Sequence, residues 1–249
     1  MTAQGAPRTA VILAGGLGTR LAPYTAVFPK PLVPIGQYPV MDILVRQLAA
    51  AGFSRLWFSV GHLAELVEAY FLNHPLRAAS DLEIDYIREH EPLGTAGSLR
   101  LAGDRLPEAF LVLNGDILTD VDFAAMLERH VSSGAALTIA SHGKHLTLPL
   151  GVIEQASGRV TGYVEKPSLE YEVSMGIYAY SRRALEYIPE SGPFDLPELV
   201  HRLLEAGETV LRDLADESCS WHDIGNPDDY AAAQQSFRDA PSRYLPDLP

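Results

Sequence analysis

The sequence predicts an α/β protein with a three-layer α/β/α, Rossmann-like mixed sheet and a small additional lobe. Three observations support this prediction. Short apolar segments alternate with amphipathic ones through the first half of the chain, which is typical of repeated βα units. A glycine-rich loop directly follows the first apolar segment, at a position where α/β sheets bind ligands. The second half contains a hairpin signal, which indicates a lobe covering one edge of the sheet.

The first half is predicted to contain several buried strands and amphipathic helices. Continuous apolar runs indicate strands that are covered on both faces. The helices are recognised by apolar residues at i, i+3, i+4 and i+7, as at Leu63, Leu66, Val67 and Tyr70. In chain order the predicted elements are strand 9–14, helix 41–51, strand 56–60, helix 63–70, strand 82–87, strand 110–113, helix 123–131 and strand 136–140.

The second half is predicted to have a different architecture. Segments 150–154 and 160–164 flank Ala156-Ser157-Gly158 and form the predicted hairpin. A strand over 173–180 and helices over 196–206 and 228–237 follow. We expect one domain over residues 1–240, with parts at 1–140 and 141–240, and a proline-containing surface tail over 241–249.

Composition restricts the possible partners. The chain has 249 residues and a formal net charge of −13, from 19 Lys and Arg against 32 Asp and Glu. No basic run is present, so nucleic acid and anionic membrane are not expected as partners. No apolar stretch or leader pattern predicts a membrane segment. The single cysteine, Cys219, is consistent with a reducing, cytoplasmic location.

The loop after the first strand has the composition of a phosphate cradle. Gly15, Gly16 and Gly18 remove Cβ atoms where a backbone approaches an anion. Arg20 adds a fork-shaped cation, and Lys30 is restrained between Pro29 and Pro31. The loop is neither a P-loop nor a complete dinucleotide fingerprint, because it lacks Gly-Lys-Ser/Thr and the third glycine. A plain turn with solvated cations is the alternative for the glycines alone.

Two carboxylates follow apolar segments and are candidate metal ligands. Asp116 closes the 110–113 strand in an Asn-Gly-Asp sequence, and Asp223 lies within Trp221-His222-Asp223. Two carboxylates that reach one pocket suit Mg²⁺, which takes its remaining ligands from water and phosphate. A turn residue and a helix cap are the structural alternatives for the two positions.

The second half adds another restrained cation. Lys166 precedes Pro167 and follows Glu165, which repeats the arrangement at Lys30. Gly176 lies inside the 173–180 strand, where glycine marks either close ligand approach or a bulge. Because the sequence shows a phosphate cradle, cations and carboxylates but no covalent nucleophile, it favours direct transfer between phosphate groups.

These motifs resemble the sugar-1-phosphate nucleotidylyltransferases, which are also called nucleotide-sugar pyrophosphorylases. The resemblance rests on GGLGTRLAPYTAVFPKPLVPI, LGTAGSL, LNGDIL, EKP, MGIY and WHDIG, in the order of the family. It implies an enzyme that joins a nucleoside triphosphate to a sugar 1-phosphate, with Mg²⁺, and releases pyrophosphate. The second lobe would then bind the sugar.

The resemblance also implies roles for individual residues. Gly15, Gly16, Gly18 and Thr19 would hold the triphosphate, and Gly94 with its loop would face the base. Arg20 and Lys30 would stabilise the α-phosphate and the departing pyrophosphate, and Lys166 would bind the sugar phosphate. Glu165 and Gly176 would face the sugar, while Asp116 and Asp223 would hold the metal.

The substrate pair is the least determined part of this hypothesis. The loop Pro92-Leu93-Gly94-Thr95-Ala96-Gly97 is similar to that of mannose-1-phosphate guanylyltransferases, which favours GTP; dTTP, CTP and UTP remain alternatives. A catalytically silent regulatory homologue is a different class of function, although it would be expected to lack one of the charged residues. An unrelated nucleotide-dependent oxidoreductase is disfavoured by the absent third glycine. A homo-oligomer is possible.

Overall fold

The computed structural model describes residues 7–21, 24–79 and 82–245. Within these ranges the strands are β1 Arg8–Ala14, β2 Pro34–Ile35, β3 Tyr38–Pro39, β4 Phe53–Val60, β5 Glu83–Arg88, β6 Ala109–Asn114, β7 Ile117–Thr119, β8 Leu137–Thr147, β9 Gly151–Ala156, β10 Arg159–Glu165, β11 Ser168–Ser181, β12 Val210–Leu214 and β13 Trp221–Asp223. The α-helices are α1 Val40–Ala50, α2 Ala64–Leu72, α3 Pro75–Ala79, α4 Gly94–Gly97, α5 Phe123–Ser133, α6 Leu196–Glu205, α7 Pro227–Asp239 and α8 Pro241–Tyr244. None of these helices is long and apolar enough to cross a membrane.

A seven-stranded mixed sheet forms the centre of the molecule, in the order β12-β8-β11-β6-β1-β4-β5. Strand β11 runs antiparallel to both of its neighbours, and the other pairs are parallel. Strand β1 lies between β4 and β6, so the strand order reverses beside it. In open α/β sheets this reversal opens a crevice at the carboxyl edge. The glycine loop that follows β1 therefore starts at the crevice.

Both faces of the sheet are buried, which confirms the three-layer prediction. Successive side chains of β1 point to opposite faces. Ile12 packs in a cluster that includes residues of α1, α2 and α5, whereas Val11 packs in a second cluster that includes residues of α6. Both side chains have no exposed surface. This double burial explains why the sequence of β1 is a continuous apolar run.

The second half forms an arm beyond the sheet. Strands β8 and β11 stay paired outward to the Thr147–Ser168 pair, and β9 and β10 form an antiparallel hairpin between them. The hairpin predicted from Ala156-Ser157-Gly158 is therefore confirmed, with Ser157 and Gly158 both at positive φ. Glu165 and Lys166 lie at the base of this hairpin.

Several elements were not predicted from the sequence. The edge strand β12 has a largely exposed VLRDL sequence without a buried face. The β7–β13 ladder, referred to below as the carboxylate ladder, pairs three residues with three residues about one hundred positions later, which is too short for periodicity to reveal. The pairs β2–β3 and the five-residue helix α3 are equally short.

Among the residues that can be compared, the predicted surface tail is exposed over residues 241–243 but not at Tyr244. Residues 241–244 form α8, and Tyr244 has no exposed surface. Its ring stacks on Phe237 with centroids 6.1 Å apart, and it joins a cluster that includes Leu118 and Ile224. An aromatic residue with an apolar cluster beneath it is buried despite the prolines around it. Residues 246–249 of the predicted tail lie outside the described ranges.

Candidate active site

A cavity of about 280 Å³ opens at the carboxyl edge of the sheet. It is lined by the end of β1 and its loop, by the loops after β5 and β6, and by the start of a short 3₁₀ helix over Lys30–Leu32. The lining residues are Leu13, Ala14, Gly15, Gly16, Lys30, Pro31, Glu89, Pro92, Gly94, Thr95, Asn114 and Asp116. Five predicted site residues therefore share one cavity: Gly15, Gly16, Lys30, Gly94 and Asp116.

Two adjacent glycines at the cavity, Gly15 and Gly16, have different surroundings. A Cβ on Gly15 would lie 2.7 Å from Oε1 of Glu89, and one on Gly61 would lie 3.1 Å from the Gly15 carbonyl oxygen. Gly15 is therefore enclosed by protein. A Cβ on Gly16 would meet no protein atom within 4 Å, so its free face opens towards the cavity.

Gly18 supports the position of Lys30. Gly18 has φ +63°, and a Cβ there would lie 3.0 Å from Cβ of Lys30 and 2.9 Å from Cγ2 of Thr25. The Thr25 hydroxyl donates to the Gly18 carbonyl at 2.7 Å. This packing directs Lys30 to the carboxylate of Asp116, with which it forms an ion pair. The Lys30 side chain is only 11% exposed.

The carboxylate ladder brings Asp116 and Asp223 together from distant parts of the chain. Asp116 directly precedes β7, and Asp223 is the last residue of β13, opposite Ile117. The amide of Ile224 donates to the Asp116 carbonyl at 2.9 Å. Asn226 then caps α7 by accepting from the Asp228 and Asp229 amides. Asp116 lines the cavity and the ladder brings Asp223 next to it, but that both carboxylates reach one pocket stays a prediction.

The electrostatics of the ladder end show how closely these groups interact. Burial raises the pKa of Asp223, and the negative charge of Asp116 raises it further, while Lys30 and Arg20 oppose the shift. A Cβ on Gly225 would lie 3.4 Å from Oδ2 of Asp223 and 3.6 Å from Nη1 of Arg20. The two predicted cations and the two predicted carboxylates thus form one cluster.

The loop over 92–97 is attached to α6. Gly94 has φ +79°, and its Cβ would lie 2.6 Å from the Phe194 carbonyl oxygen. Thr95 donates its amide to Asp195 at 2.8 Å, and its hydroxyl accepts from the Leu196 amide at 2.8 Å. Packing against Phe194 therefore requires glycine at 94 whether or not a ligand is bound. The predicted base contact of Gly94 stays a prediction.

Gly176 lies at an irregular pairing in β11. The β8–β11 register shifts between Ser174 and Tyr178, and a Cβ on Gly176 would lie 2.5 Å from Nδ2 of Asn114. The register shift supports a bulge, and the group that approaches Gly176 most closely is the side chain of Asn114; close approach of a ligand stays a prediction. Since Asn114 lines the cavity, Gly176 lies directly behind the cavity wall.

Three predicted site residues have no described contact that brings them to the cavity. Thr19 starts an exposed 3₁₀ turn, and Glu165 and Lys166 lie on the exposed arm. Lys166 has φ +47° and donates its amide to the Leu150 carbonyl at 3.3 Å. A lysine in this backbone region is uncommon and is found most often where function requires it.

The model of the nucleotidyl transferase family matches residues 9–240 of the chain. This range includes every predicted site residue, from Gly15 to Asp223. The chain belongs to the nucleotidyl transferase family.

The names of the chain's relatives refer to different nucleotides. The chain is 33% identical over 238 residues to a UTP–glucose-1-phosphate uridylyltransferase of Synechocystis sp., covering 89% of this chain and 61% of the relative. It is 34% identical over 228 residues to the mannose-1-phosphate guanylyltransferase catalytic subunit beta of Danio rerio, covering 89% and 62%. The chain thus spans less than two thirds of these curated relatives.

Solved structures of similar proteins support the same architecture. HddC from Yersinia pseudotuberculosis is 27% identical, with a TM-score of 0.71, covering 92% of this chain and 99% of that one. A putative glucose-1-phosphate thymidylyltransferase from Bacillus anthracis, solved with sucrose, has a TM-score of 0.73 at 23% identity, covering 94% and 96%. At that identity the second likeness supports the fold alone.

Sequence reasoning missed two residues that line the cavity, Glu89 and Asn114. Glu89 accepts from the Ser59 hydroxyl at 2.7 Å and from the Leu93 amide at 3.1 Å. Asn114 was treated only as part of a turn. Both follow or end a strand at the carboxyl edge, and that rule, applied to every strand, would have found them.

Proposed function

We propose that this chain transfers a nucleotidyl group from a nucleoside triphosphate, with GTP favoured, to a sugar 1-phosphate. The products are a nucleotide-sugar and pyrophosphate. The observation that carries the proposal is the convergence of Lys30, Arg20, Asp116 and Asp223 beside the open face of Gly16. Relatives that transfer uridylyl and guanylyl groups to sugar phosphates support the reaction class.

Each group in this cluster suits part of a triphosphate. Gly16 leaves room for phosphate oxygens to approach the backbone, where amide groups bind anions. Lys30 and Arg20 provide positive charge for the α-phosphate and for the pyrophosphate that departs. A phosphate oxygen of the sugar attacks the α-phosphorus, and the bond from that phosphorus to the bridging oxygen of the β-phosphate breaks. The sugar phosphate is already an anion at neutral pH, so no general base is required.

The carboxylate pair fits a hard divalent cation. Asp116 and Asp223 offer oxygen ligands, and their mutual repulsion would be relieved by a cation between them. No cluster of three or more potential ligand side chains occurs in the described residues, so phosphate and water would complete the coordination, as Mg²⁺ prefers. When bound, the metal would neutralise phosphate charge and align the reacting groups. Asp116 and Asp223 would hold it.

Glu89 supports the choice of GTP. Its carboxylate faces the cavity, and each oxygen retains a free lone pair beyond its one protein partner. A carboxylate only accepts hydrogen bonds, and the Watson–Crick edge of guanine offers two adjacent donors. Uracil offers one. The structure of HddC complexed with GMP-PN, 26% identical to this chain, is also consistent with a guanine nucleotide.

The contacts to the sugar remain proposals. Lys166 would bind the sugar phosphate, and Glu165 and Gly176 would face the sugar ring. Gly15, Gly18, Thr19 and Gly94 would complete the nucleotide side. The division of the chain into a nucleotide part and a sugar part, the cytoplasmic location and the possible homo-oligomer also stay predictions.

A pyrophosphate-release screen tests the proposal. GTP, CTP, UTP, dTTP and ATP are each combined with several sugar 1-phosphates and Mg²⁺, with Asp116→Asn and Asp223→Asn as inactive controls of unchanged fold. We expect release with GTP, and a smaller preference for GTP over UTP in Glu89→Gln. The absence of release from folded wild-type protein with every pair would favour a silent regulatory homologue. Full activity in either aspartate variant would exclude the proposed metal site.

A further inference from the structure

The carboxylate ladder has two ends, and only one of them carries the candidate metal ligands Asp116 and Asp223. Asp116 and Asp223 lie at the end beside the cavity, whereas Asp120 and Ser220 lie just beyond the Thr119–Trp221 pair. At roughly 3.3 Å per residue, the far end is on the order of 10 Å from the carboxylates. A ladder of three pairs has few hydrogen bonds of its own, so contacts at the far end decide how rigid it is.

Helix α8 binds this far end through two side chains. Oη of Tyr244 is 2.5 Å from Oγ of Ser220, which lies 3.3 Å from Nε2 of His222 on β13. Arg243 forms an ion pair with Asp120 and donates to the Ser218 carbonyl. Asp120 in turn accepts from the Ser220 amide at 2.7 Å. Both strands of the ladder are therefore connected to α8.

The position of Tyr244 is itself fixed. The side chain has no exposed surface, and its ring stacks on Phe237 of α7. The same hydroxyl lies 2.6 Å from Oγ of Ser236, also on α7. A buried tyrosine hydroxyl is satisfied by one partner or two. Here one partner belongs to α7 and the other to the ladder, so Tyr244 connects these two parts of the molecule.

We propose that α8 is a positioning element, in which Tyr244 and Arg243 fix the carboxylate ladder and thereby the separation of the Asp116 and Asp223 carboxylates. This inference rests on the proposed function, in which these carboxylates hold a divalent cation. Residues behind metal ligands set their orientation, and their loss typically weakens metal binding by about 10-fold to 100-fold. Tyr244 and Arg243 act through Ser220 and Asp120 and touch neither carboxylate in this structure.

Two serine variants separate this role from general stabilisation. Ser220→Ala and Ser236→Ala each remove one hydroxyl partner of the Tyr244 hydroxyl, but only Ser220 directly adjoins the ladder, next to Trp221. Tyr244→Phe removes both bonds and keeps the ring. Thermal unfolding reports stability. Electron paramagnetic resonance of free Mn²⁺, measured with the protein in the absence of nucleotide, reports metal affinity.

We expect Tyr244→Phe and Ser220→Ala each to weaken Mn²⁺ binding on the order of 10-fold. Combining Tyr244→Phe with Ser220→Ala should lower the Mn²⁺ affinity no further than the more severe of the two single changes, because both break the same connection. Ser236→Ala should stay within about twofold of wild type. The Mg²⁺ concentration for half-maximal activity should rise in the first two variants only.

The outcomes distinguish the two proposals. Equal loss of Mn²⁺ affinity in Ser236→Ala and Ser220→Ala, or wild-type affinity in Tyr244→Phe, would overturn the positioning role. If Tyr244→Phe does not fold, the serine pair decides, since it leaves Tyr244 in place. If wild-type protein neither binds Mn²⁺ nor releases pyrophosphate with any triphosphate, the proposed function fails, and the positioning role fails with it.

Discussion

Adding one methyl group at each of two adjacent glycines should have opposite effects on this protein. Gly15 and Gly16 both lie outside the left-handed region, so alanine is compatible with the backbone at each position. In Gly15→Ala the new Cβ would lie 2.7 Å from Oε1 of Glu89. The Glu89 carboxylate cannot simply move aside, because Ser59 and the Leu93 amide hold both of its oxygens.

The expected stability change in Gly15→Ala follows from those two hydrogen bonds. Ser59 has no exposed surface, and a buried hydroxyl that loses its charged partner costs about 1–3 kcal/mol. Taking about 2 kcal/mol, the unfolding midpoint of a chain this long falls by roughly 4–8 °C. In Gly16→Ala the Cβ meets no protein atom within 4 Å. Its stability should be unchanged, or about 0.5 kcal/mol higher because the unfolded chain loses freedom.

Gly16→Ala should lower activity strongly even though it leaves stability unchanged. If a triphosphate binds against its open face, the methyl group displaces the phosphates, and a displacement of about 1 Å costs on the order of 100-fold in rate. Differential scanning fluorimetry and pyrophosphate release, measured on the same preparations, give both quantities. A Gly16→Ala protein with wild-type kcat/KM would refute our placement of the triphosphate. A Gly15→Ala protein with an unchanged midpoint would refute the role given to Glu89 in holding the loop.

Two further predictions concern Lys30 and Asp42. Lys30 forms an ion pair with the Asp116 carboxylate, so a metal ion that binds this carboxylate must displace the Lys30 ammonium group. Lys30→Met should therefore bind Mn²⁺ more tightly without nucleotide, by roughly tenfold if the ion pair contributes about 1.4 kcal/mol, and unchanged or weaker binding would contradict this competition. Asp42 is buried on α1 and bonded to His74, Tyr70 and Arg46, so Asp42→Asn should lose about 2–4 kcal/mol in urea unfolding. Burial opposes ionisation of Asp42, but hydrogen bonds from His74 and Tyr70 and the charge of Arg46 outweigh it and lower its pKa. The stabilisation by the Asp42 carboxylate is therefore complete above the unfolded pKa of about 3.9 and is lost as pH falls through the folded value. The free energy of unfolding of Asp42→Asn should consequently fall less steeply with decreasing pH than that of the wild type. An equal fall in both proteins would contradict the assignment.

The strands and the glycine loop could be predicted because their causes are local. The double burial of β1 produces a continuous apolar run, and Gly15, Gly16 and Gly18 directly after it indicate an anion-binding loop. Helix α1 was predicted within one residue of its observed bounds because Ile43, Leu44, Leu48 and Ala51 repeat at helical spacing. Each of these patterns is contained within about fifteen neighbouring residues.

The carboxylate ladder could not be predicted in the same way, because its cause is not local. Asp116 and Asp223 were recognised as candidates, but the three-pair ladder that joins them has no period of its own. It is held from outside, by the amide of Ile224 at one end and by Ser220, Asp120 and α8 at the other. The proline-rich composition that made residues 241–249 read as a surface tail gives no sign that a buried tyrosine there is bonded to Ser220. A single sequence therefore reveals least about how two carboxylates distant in the chain are held at a fixed separation. Variants at the residues that hold the ladder, although distant from the cavity, should alter metal binding most.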